Sequence, residues 1–266
     1  MNYSLSGFCH LALKACLPFA LMVLITSCCQ PIWSKMKKRA EAEIAAKALM
    51  EKQKVLATGH FKDVLQYWMP EAEDRYRLSY LEADSSLDIK ASKGLTLWYK
   101  LPFEGDIRIQ YEACVVDGGD LLDRVSDLNC FWMASDPVYP DSIFARKHFR
   151  ESSFGRYYSL QLYYMGFGGN QNTTTRFRRY DGNYDDFHKN MKRPEVLSEY
   201  KDPAHLIRPN HWYTIEITVQ HGGVRYIQDG EVLVDYTDSS PLTKGWFGIR
   251  TTESHLRVRK FVVNRL

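Results

Sequence analysis

The sequence predicts an all-β fold, a two-sheet sandwich of the jelly-roll kind, over residues 58–266. Apolar and polar residues alternate with a period of two in segments such as 95–99 and 212–219, which is typical of strands with one buried face. Turn signals such as Asp229-Gly230-Glu231 separate these segments. No helical pattern of crossover length occurs beyond residue 58, which excludes a parallel α/β sheet.

The composition agrees with a globular fold and limits the partners. Of the 266 residues, 45% are hydrophobic and 25% are charged. The 35 basic and 32 acidic residues give a net charge of +3, and the basic excess lies before residue 58. Because the remaining domain is near-neutral and lacks the charge of a nucleic-acid binder, we expect no nucleic-acid partner. We expect a monomer.

Residues 1–27 are predicted to be a lipoprotein signal peptide. Lys14 precedes an apolar run, residues 15–25, that is too short for a permanent membrane helix but suits a signal peptide. The run ends in Ile25-Thr26-Ser27-Cys28, which resembles the bacterial lipobox. Cys28 is therefore the predicted lipidation site, with an ordinary secretory signal as the alternative.

Residues 28–57 are predicted to be a lipidated N-terminus followed by a helical linker. The segment Lys35–Ala57 is rich in Ala, Glu, Lys and Leu and contains neither Gly nor Pro, which favours a helix. We expect it to act as a solvated stalk between lipid and domain. No acidic residue directly follows Cys28, which favours a periplasmic lipoprotein anchored in the outer membrane over one at the cell surface. The lipid is then the only membrane contact.

The cysteines allow a disulfide and the acidic residues allow a Ca²⁺ site, and each has an alternative explanation. Cys114 and Cys130 lie in strand-like segments, and an oxidising compartment would permit a disulfide, with two buried free thiols as the alternative. No CxxC or HExxH spacing occurs, so no metal site and no cofactor are predicted. Asp117, Asp120 and Asp123 could ligate Ca²⁺, although a solvated acidic loop is the favoured explanation.

Arginines share one face of a predicted strand in the segment 170–181. Strand alternation places Arg176 and Arg178 on the same face as Thr174 and Tyr180. Two arginines without interleaved acids predict an anionic group opposite them. A carboxylate or sulfate of a sugar would supply it, and acidic partners within the protein are the alternative.

Further polar positions on predicted strands suggest a sugar site. Asp127 and Asn129 occupy mid-strand positions that these residue types disfavour, on the face opposite Leu128 and Trp132. Gln161 and Tyr163 are predicted to share a face suited to sugar hydroxyls and to stacking. Near the C-terminus, Arg250 and His255 flank a short turn.

Longer motifs carry a family resemblance. They are the runs 123–133, 163–170 and 172–182, together with the closing segments 224–234 and 245–251. In order and content they resemble a largely uncharacterised family of concanavalin A-like jelly rolls that Bacteroidota export and that is associated with polysaccharide-utilisation loci. The resemblance covers about residues 58–266. It implies a concanavalin A-like β-sandwich and a carbohydrate context, without naming a reaction.

The preferred functional hypothesis is β-elimination on uronic-acid-containing oligosaccharides, by a lyase or a dehydratase. This chemistry needs a cation at the carboxylate, a base for the proton alpha to it, and an acid for the leaving group. The predicted catalytic residues are Arg176 for the carboxylate, and His255 and Tyr163 for acid-base chemistry. The predicted substrate-binding residues are Asp127, Asn129, Gln161, Asn170, Arg178 and Arg250.

Two other functions use the same fold. A glycoside hydrolase needs a pair of carboxyl groups, but the Glu-x-Asp-x-x-Glu motif of concanavalin-like glucanases is absent from the sequence. A non-catalytic glycan-binding lipoprotein needs only aromatic, amide and arginine side chains on a sheet. All three hypotheses predict a carbohydrate partner, and the arginines predict that it is an acidic oligosaccharide or polysaccharide.

Overall fold

The computed structural model describes residues 33–41, which belong to a first unit of the chain, and residues 54–266, which belong to a second. Within the first unit, residues 33–41 are helical, as the linker pattern predicts. The predicted signal peptide and Cys28 lie outside the described residues, so both stay predictions. Among the described helices, none is long and apolar enough to cross a membrane.

The second unit is built almost entirely from antiparallel strands. In chain order the first seven are β1 (Val55–Thr58), β2 (Trp68–Ala72), β3 (Tyr76–Leu81), β4 (Ser86–Tyr99), β5 (Phe103–Glu104), β6 (Ile107–Val115) and β7 (Leu128–Ser135). The others are β8 (Gln161–Gly168), β9 (Thr174–Asp181), β10 (Val196–Tyr200), β11 (Tyr213–Gln220), β12 (Gly223–Gln228), β13 (Glu231–Thr237) and β14 (Lys244–Arg265). Short helical segments lie at Phe61–Asp63, Val64–Tyr67, Ile143–Arg146, Lys147–Arg150, Phe154–Ser159, Gly169–Asn172, Tyr184–Asn190 and Pro203–His205.

The strands form two sheets that share their longest members. The front sheet has the order β10-β9-β8-β7-β14-β4-β2, and the back sheet has the order β3-β4-β14-β6-β11-β12-β13. The first half of β14 and the second half of β4 belong to the front sheet, and their other halves belong to the back sheet. The pairing of β14 with β4 shifts at Glu253, whose φ of 48° marks a bulge. This bulge lets one strand pass from one sheet to the other.

The main core lies between the two sheets. Trp132 of β7 is fully buried and stacks on Phe177 of β9 in the front sheet, with ring centroids 5.9 Å apart. It also faces Tyr226 of β12 in the back sheet, at 6.4 Å. These contacts confirm the predicted all-β sandwich and place Trp132, which was predicted to face away from Asn129, in the core between the sheets.

A second apolar cluster covers the outer face of the front sheet. Trp98 and Phe131 of that face stack on each other at 5.5 Å. Above them lies the segment 143–159, called the cover segment from here on, which contributes Ile143 and Tyr157 to the cluster. The front sheet is thus apolar on both faces, while only one side of it faces the other sheet.

The structure decides two predictions, namely where the linker helix ends and whether Cys114 and Cys130 form a disulfide. The linker helix was predicted to run to Ala57, but Val55–Thr58 forms strand β1, because Ala57 pairs with Val263 of β14 and is buried. Tertiary pairing here overrides helix propensity. Cys114 and Cys130 are both buried free thiols, so of the two alternatives the disulfide is absent.

Candidate functional site

A polar cleft of about 460 Å³ opens on the outer face of the front sheet, beside the cover segment. We call it the outer cleft. Five of the residues predicted to bind or act on a substrate line it, namely Asp127, Asn129, Asn170, Arg176 and Arg178. Strand pairing brings them together, because Gly166 of β8 lies opposite Asn129 on one side and opposite Arg176 on the other. Period-two alternation then puts their side chains on one face.

Asp127 lines the cleft and accepts three hydrogen bonds from internal donors. Its Oδ2 accepts hydrogen bonds from Arg124 Nη2 at 2.7 Å and Ser126 Oγ at 2.8 Å. Its Oδ1 accepts one from Asn129 Nδ2 at 3.3 Å. Asp127 therefore fixes the positions of Arg124 and Asn129.

Asn129 contributes an unused acceptor to the outer cleft. Its side chain is only 2% exposed, and its Oδ1 has no hydrogen-bond partner within the described residues. A buried carbonyl oxygen without a donor costs free energy, roughly 1–3 kcal/mol. A bound hydroxyl or amide group that donated to this atom would remove that cost.

Tyr164 lies flat over the strand that forms the floor of the cleft. A Cβ atom built on Gly166 would lie 2.3 Å from the Tyr164 hydroxyl, so only glycine at 166 permits this position of the ring. Burial raises the pKa of Tyr164 well above its ordinary value, with the nearby Asp127 adding to the effect. The Tyr164 hydroxyl is therefore a neutral donor at physiological pH.

The two arginines of β9 differ in their ionic partners. Arg176 Nε donates to Glu199 of β10, so for Arg176 the alternative of an acidic partner within the protein is the one observed. Arg178 Nη1 donates to the backbone carbonyl of Pro194, and no carboxylate of the described chain pairs with Arg178. Arg178, rather than Arg176, is thus the strand arginine whose charge is available to a ligand.

Arg250 brings a second unpaired guanidinium to the same region. It lies opposite Asn129 in the pairing of β14 with β7, and it is only 2% exposed. Its Nη1 donates to Ser152 Oγ at 2.7 Å and Thr96 Oγ1 at 3.1 Å, and its guanidinium carbon lies 5.3 Å from the ring of Phe154. Within the described part of the chain no carboxylate pairs with it, and it does not line the outer cleft itself. The positive charge lies directly behind Phe154, which does line the cleft.

Tyr163 does not line the outer cleft, so the structure does not bring it together with Arg176 as predicted. It is fully buried between the two sheets, on the face of β8 opposite Tyr164. Its hydroxyl donates to Asp238 Oδ2 at 2.6 Å, and Arg179 Nε donates to the same oxygen at 2.7 Å. Burial and Asp238 raise the pKa of Tyr163, so Tyr163 is poorly suited to act as a base.

His255 does not line the outer cleft either, so the structure does not place it beside Arg176 as predicted. It is 5% exposed and lies in the part of β14 that belongs to the back sheet. Its Nε2 is 2.6 Å from Asp88 Oδ1 and its Nδ1 is 2.9 Å from Asp123 Oδ1. With a carboxylate at each ring nitrogen, His255 holds the loop 117–127 against β4.

This cluster predicts a stability that falls in acid. Burial alone would raise the pKa of Asp88, but hydrogen bonds from His255 and Arg257 lower it below its ordinary value. For Asp123, hydrogen bonds from Gly118, Asp120 and His255 likewise outweigh desolvation and lower the pKa. A carboxyl with a depressed folded-state pKa contributes stability above its unfolded pKa, near 4, and loses it as the pH falls through the folded value.

We expect the urea midpoint of the wild type to fall steeply between about pH 4 and pH 2, and that of Asp88→Asn to fall less. Equilibrium urea unfolding at several pH values measures both slopes. The exposed Asp235 serves as the control position, because its removal should leave the slope unchanged. Equal slopes for the wild type and Asp88→Asn would contradict the role of the cluster.

The remaining predicted positions lie at the edges of the site. Asn170 borders the outer cleft with a φ of 53°, and its Nδ2 donates to Thr174 Oγ1 at 3.1 Å. Gln161, at the start of β8, does not line the cleft, and its Nε2 donates to the carbonyl of Asp181 at 3.4 Å. It lies too far along the strand from Gly166, about 3.3 Å per residue, to share a site with Asn129.

The three aspartates considered for Ca²⁺ do not converge. Asp123 Oδ2 accepts backbone hydrogen bonds from Gly118 and Asp120, while Asp120 Oδ2 lies 2.7 Å from Lys90 Nζ. In residues 33–41 and 54–266, no group of acidic, histidine or cysteine side chains is arranged to hold a metal ion.

Sequence reasoning missed Arg124, Phe154, Tyr164 and Arg193, which also line the outer cleft. Tyr164 was assigned to the face opposite the sugar-binding residues, because alternation cannot tell the two apolar faces of the front sheet apart. The glycine two positions after it is the signal that could have found it. Arg193 lies in a loop, where periodicity carries no information.

Comparison with known proteins supports the fold. Residues 89–261 match the model of a family described as "Domain of unknown function (DUF6250)". No curated protein sequence matches the chain. A Bacillus subtilis protein of unknown function with a galectin-like fold is similar at 15% identity, with a TM-score of 0.61, covering 80% of this chain and 96% of its own. The carbohydrate binding module CBM66 from Bacillus subtilis matches at 12% identity and a TM-score of 0.49, covering 74% and 94%.

Proposed function

Because the chain belongs to the DUF6250 family, which prescribes no activity, we propose a function from the site itself: the domain binds an acidic carbohydrate in the outer cleft. One observation carries the proposal. Arg178 and Arg250 bring two guanidinium groups to the outer face of the front sheet, and neither has a carboxylate partner in the described chain. Arg178 lines the cleft, so a bound carboxylate or sulfate can pair with its guanidinium directly, while the buried Arg250 adds positive charge behind Phe154.

The charge around the outer cleft favours an anion. Of the arginines that line it, Arg124 and Arg176 are paired with Asp127 and Glu199, whereas Arg178 and Arg193 have no acidic partner among the described residues. Besides Asp127, the only carboxyl residue along the described lining of the cleft is Glu253. Guanidinium groups bind carboxylate and sulfate oxygens with charge-assisted hydrogen bonds.

The rest of the lining suits the neutral part of a sugar. Phe154, Tyr158 and Tyr164 offer aromatic surface, and Asn129 offers a free acceptor. Aromatic rings with amide and hydroxyl groups beside them bind sugars through C–H contacts and hydrogen bonds. The polysaccharide context that the sequence motifs imply agrees with this choice of ligand.

Binding fits the geometry better than elimination does. No histidine lines the outer cleft in the described ranges. Burial raises the pKa values of the tyrosines there, Tyr158 and Tyr164, so both remain protonated at neutral pH. Elimination needs a base near the reacting carbon. A lyase or dehydratase activity is therefore an outcome to be tested, and the glycan-binding lipoprotein is the function we propose.

We expect Arg178→Met to weaken binding of acidic oligosaccharides about tenfold and to leave neutral oligosaccharides unaffected, because one charge-assisted hydrogen bond is lost. Titration calorimetry with trigalacturonate, an alginate trisaccharide, a hyaluronan tetrasaccharide and cellotriose measures the difference. Arg225→Met is the matched control, since Arg225 is exposed on β12 and lies near Asp235. Absorbance near 235 nm, recorded in parallel, registers any elimination.

Two results would overturn the proposal. Either none of the acidic oligosaccharides binds, or acidic and neutral ones bind the wild type and Arg178→Met equally well. A rise in absorbance that depends on Arg178 would instead assign elimination at a uronate to the same cleft.

A further inference from the structure

We propose that Asn129 and Tyr164 form a subsite that recognises two neighbouring free hydroxyl groups of the bound sugar. Asn129 Oδ1 accepts a hydrogen bond from one hydroxyl, and the Tyr164 hydroxyl contacts the next. This inference rests on the proposed function and specifies which sugars the outer cleft accepts.

The orientation of the Asn129 amide is fixed by its neighbour. The Asn129 Nδ2 faces Asp127 Oδ1 at 3.3 Å, and an ionised carboxylate can only accept. Turning the amide over would place two acceptors against each other. The Oδ1 atom is therefore the one left without a partner, and it requires a donor from the ligand.

The Tyr164 hydroxyl is held near the same point of the sheet. It lies above Gly166, and Gly166 is the residue directly opposite Asn129 on the adjacent strand. Side chains at directly opposite positions are about 5 Å apart at Cβ. The Asn129 acceptor and the Tyr164 hydroxyl therefore lie over the same pair of opposite residues, Asn129 and Gly166, where neighbouring hydroxyl groups of one pyranose ring can reach both.

The surroundings of the pair restrict what else could bind there. Asp127 already accepts hydrogen bonds from Arg124, Ser126 and Asn129, which take up most of its acceptor capacity. Arg250, on the other side of Asn129, is buried and reaches Ser152 and Thr96. The subsite therefore provides one acceptor and one hydroxyl, while Arg178 remains for the anionic substituent.

The test compares sugars with free and with blocked hydroxyl groups. Trigalacturonate, the alginate trisaccharide and the hyaluronan tetrasaccharide are each used as such and with their ring hydroxyls acetylated. For any probe that binds, we expect the wild type to prefer the free form by about tenfold. Asn129→Ala should weaken binding of the free form about tenfold and leave binding of the acetylated form unchanged, because one hydrogen bond to a buried acceptor is lost.

Tyr164→Phe is the second variant, since it removes only the hydroxyl and keeps the ring. We expect it to reduce the preference for free hydroxyls several-fold. Asn264→Ala is the matched control, because Asn264 also has a buried, unpartnered Oδ1 but lies in the back-sheet part of β14. Thermal unfolding establishes that each variant is folded before it is titrated.

The outcomes separate this inference from the proposed function. If the wild type binds acidic sugars but Asn129→Ala and Tyr164→Phe both keep its affinity and its preference for free hydroxyls, the subsite is wrong and the proposed function stands. If no acidic probe binds the wild type, both are wrong. If Asn129→Ala does not fold, Tyr164→Phe alone decides the inference.

Discussion

Replacing Arg150 with methionine is expected to lower the free energy of unfolding by about 3–5 kcal/mol. Arg150 belongs to the cover segment and is completely buried. Its Nη2 lies 2.8 Å from Glu71 Oε2 and 2.6 Å from the carbonyl of Ile143, and its Nη1 lies 3.8 Å from Asp136. Removing the guanidinium leaves the Glu71 carboxylate buried without its charged partner.

A pair of further variants distinguishes the loss of an ion pair from the loss of packing. Arg150→Met combined with Glu71→Leu should recover much of the stability, because the uncompensated charge is then removed as well. Lys189→Met is the control, since Lys189 and its partner Asp185 are largely exposed. Urea unfolding measures all of them. A double variant as unstable as the sum of its single variants would contradict this explanation.

Arg150 also supports the structure of the outer cleft. Glu71 is in β2 and Asp136 directly follows β7, so Arg150 ties the cover segment to two strands of the front sheet. The cover segment supplies Phe154 and Tyr158 to the cleft lining. We therefore expect Arg150→Met to weaken glycan binding along with stability, even though Arg150 touches no ligand.

Replacing Trp132 with alanine is expected to cost about 4 kcal/mol of unfolding free energy. Trp132 is fully buried and contacts Phe177 and Tyr163 within the front sheet and Tyr226 across the sandwich. Alanine would leave a large cavity between the sheets, and these rings belong to strands that cannot collapse into it freely.

Two comparisons sharpen this prediction. Trp132→Phe should lose roughly half as much stability, because most of the cavity stays filled. Trp33→Ala should change nothing measurable, since Trp33 is 75% exposed. Urea midpoints that are equal for Trp132→Ala and Trp33→Ala would show that Trp132 is not central to the core.

The sequence predicted the architecture because the strands and turns of a sandwich can each be recognised from neighbouring residues. Period-two alternation identifies half-buried strands such as β6 and β11, and turn residues such as Asp229 and Gly230 mark where β12 ends and β13 begins. The same alternation correctly placed Trp132 and Asn129 on opposite faces. The β9 residues Arg176 and Arg178 were also correctly placed on one face.

The end of the linker helix and the partners of the charged residues were not predictable in this way. Helix propensity says nothing about the pairing of Ala57 with Val263, which lies at the other end of the chain. Likewise, whether an arginine is free depends on residues far away in sequence. Arg176 is neutralised by Glu199, whereas Arg178 is not.

The sequence by itself determined the fold class, the strand faces and a cluster of polar residues on one of them, since these depend on alternation between neighbouring positions. Only the tertiary structure decided which of these residues act together. It placed Tyr163 and His255 against buried carboxylates, away from the outer cleft, and it brought Tyr164 there instead. The reason is that both faces of the front sheet are apolar, so local periodicity cannot distinguish the face toward the core from the face toward the ligand.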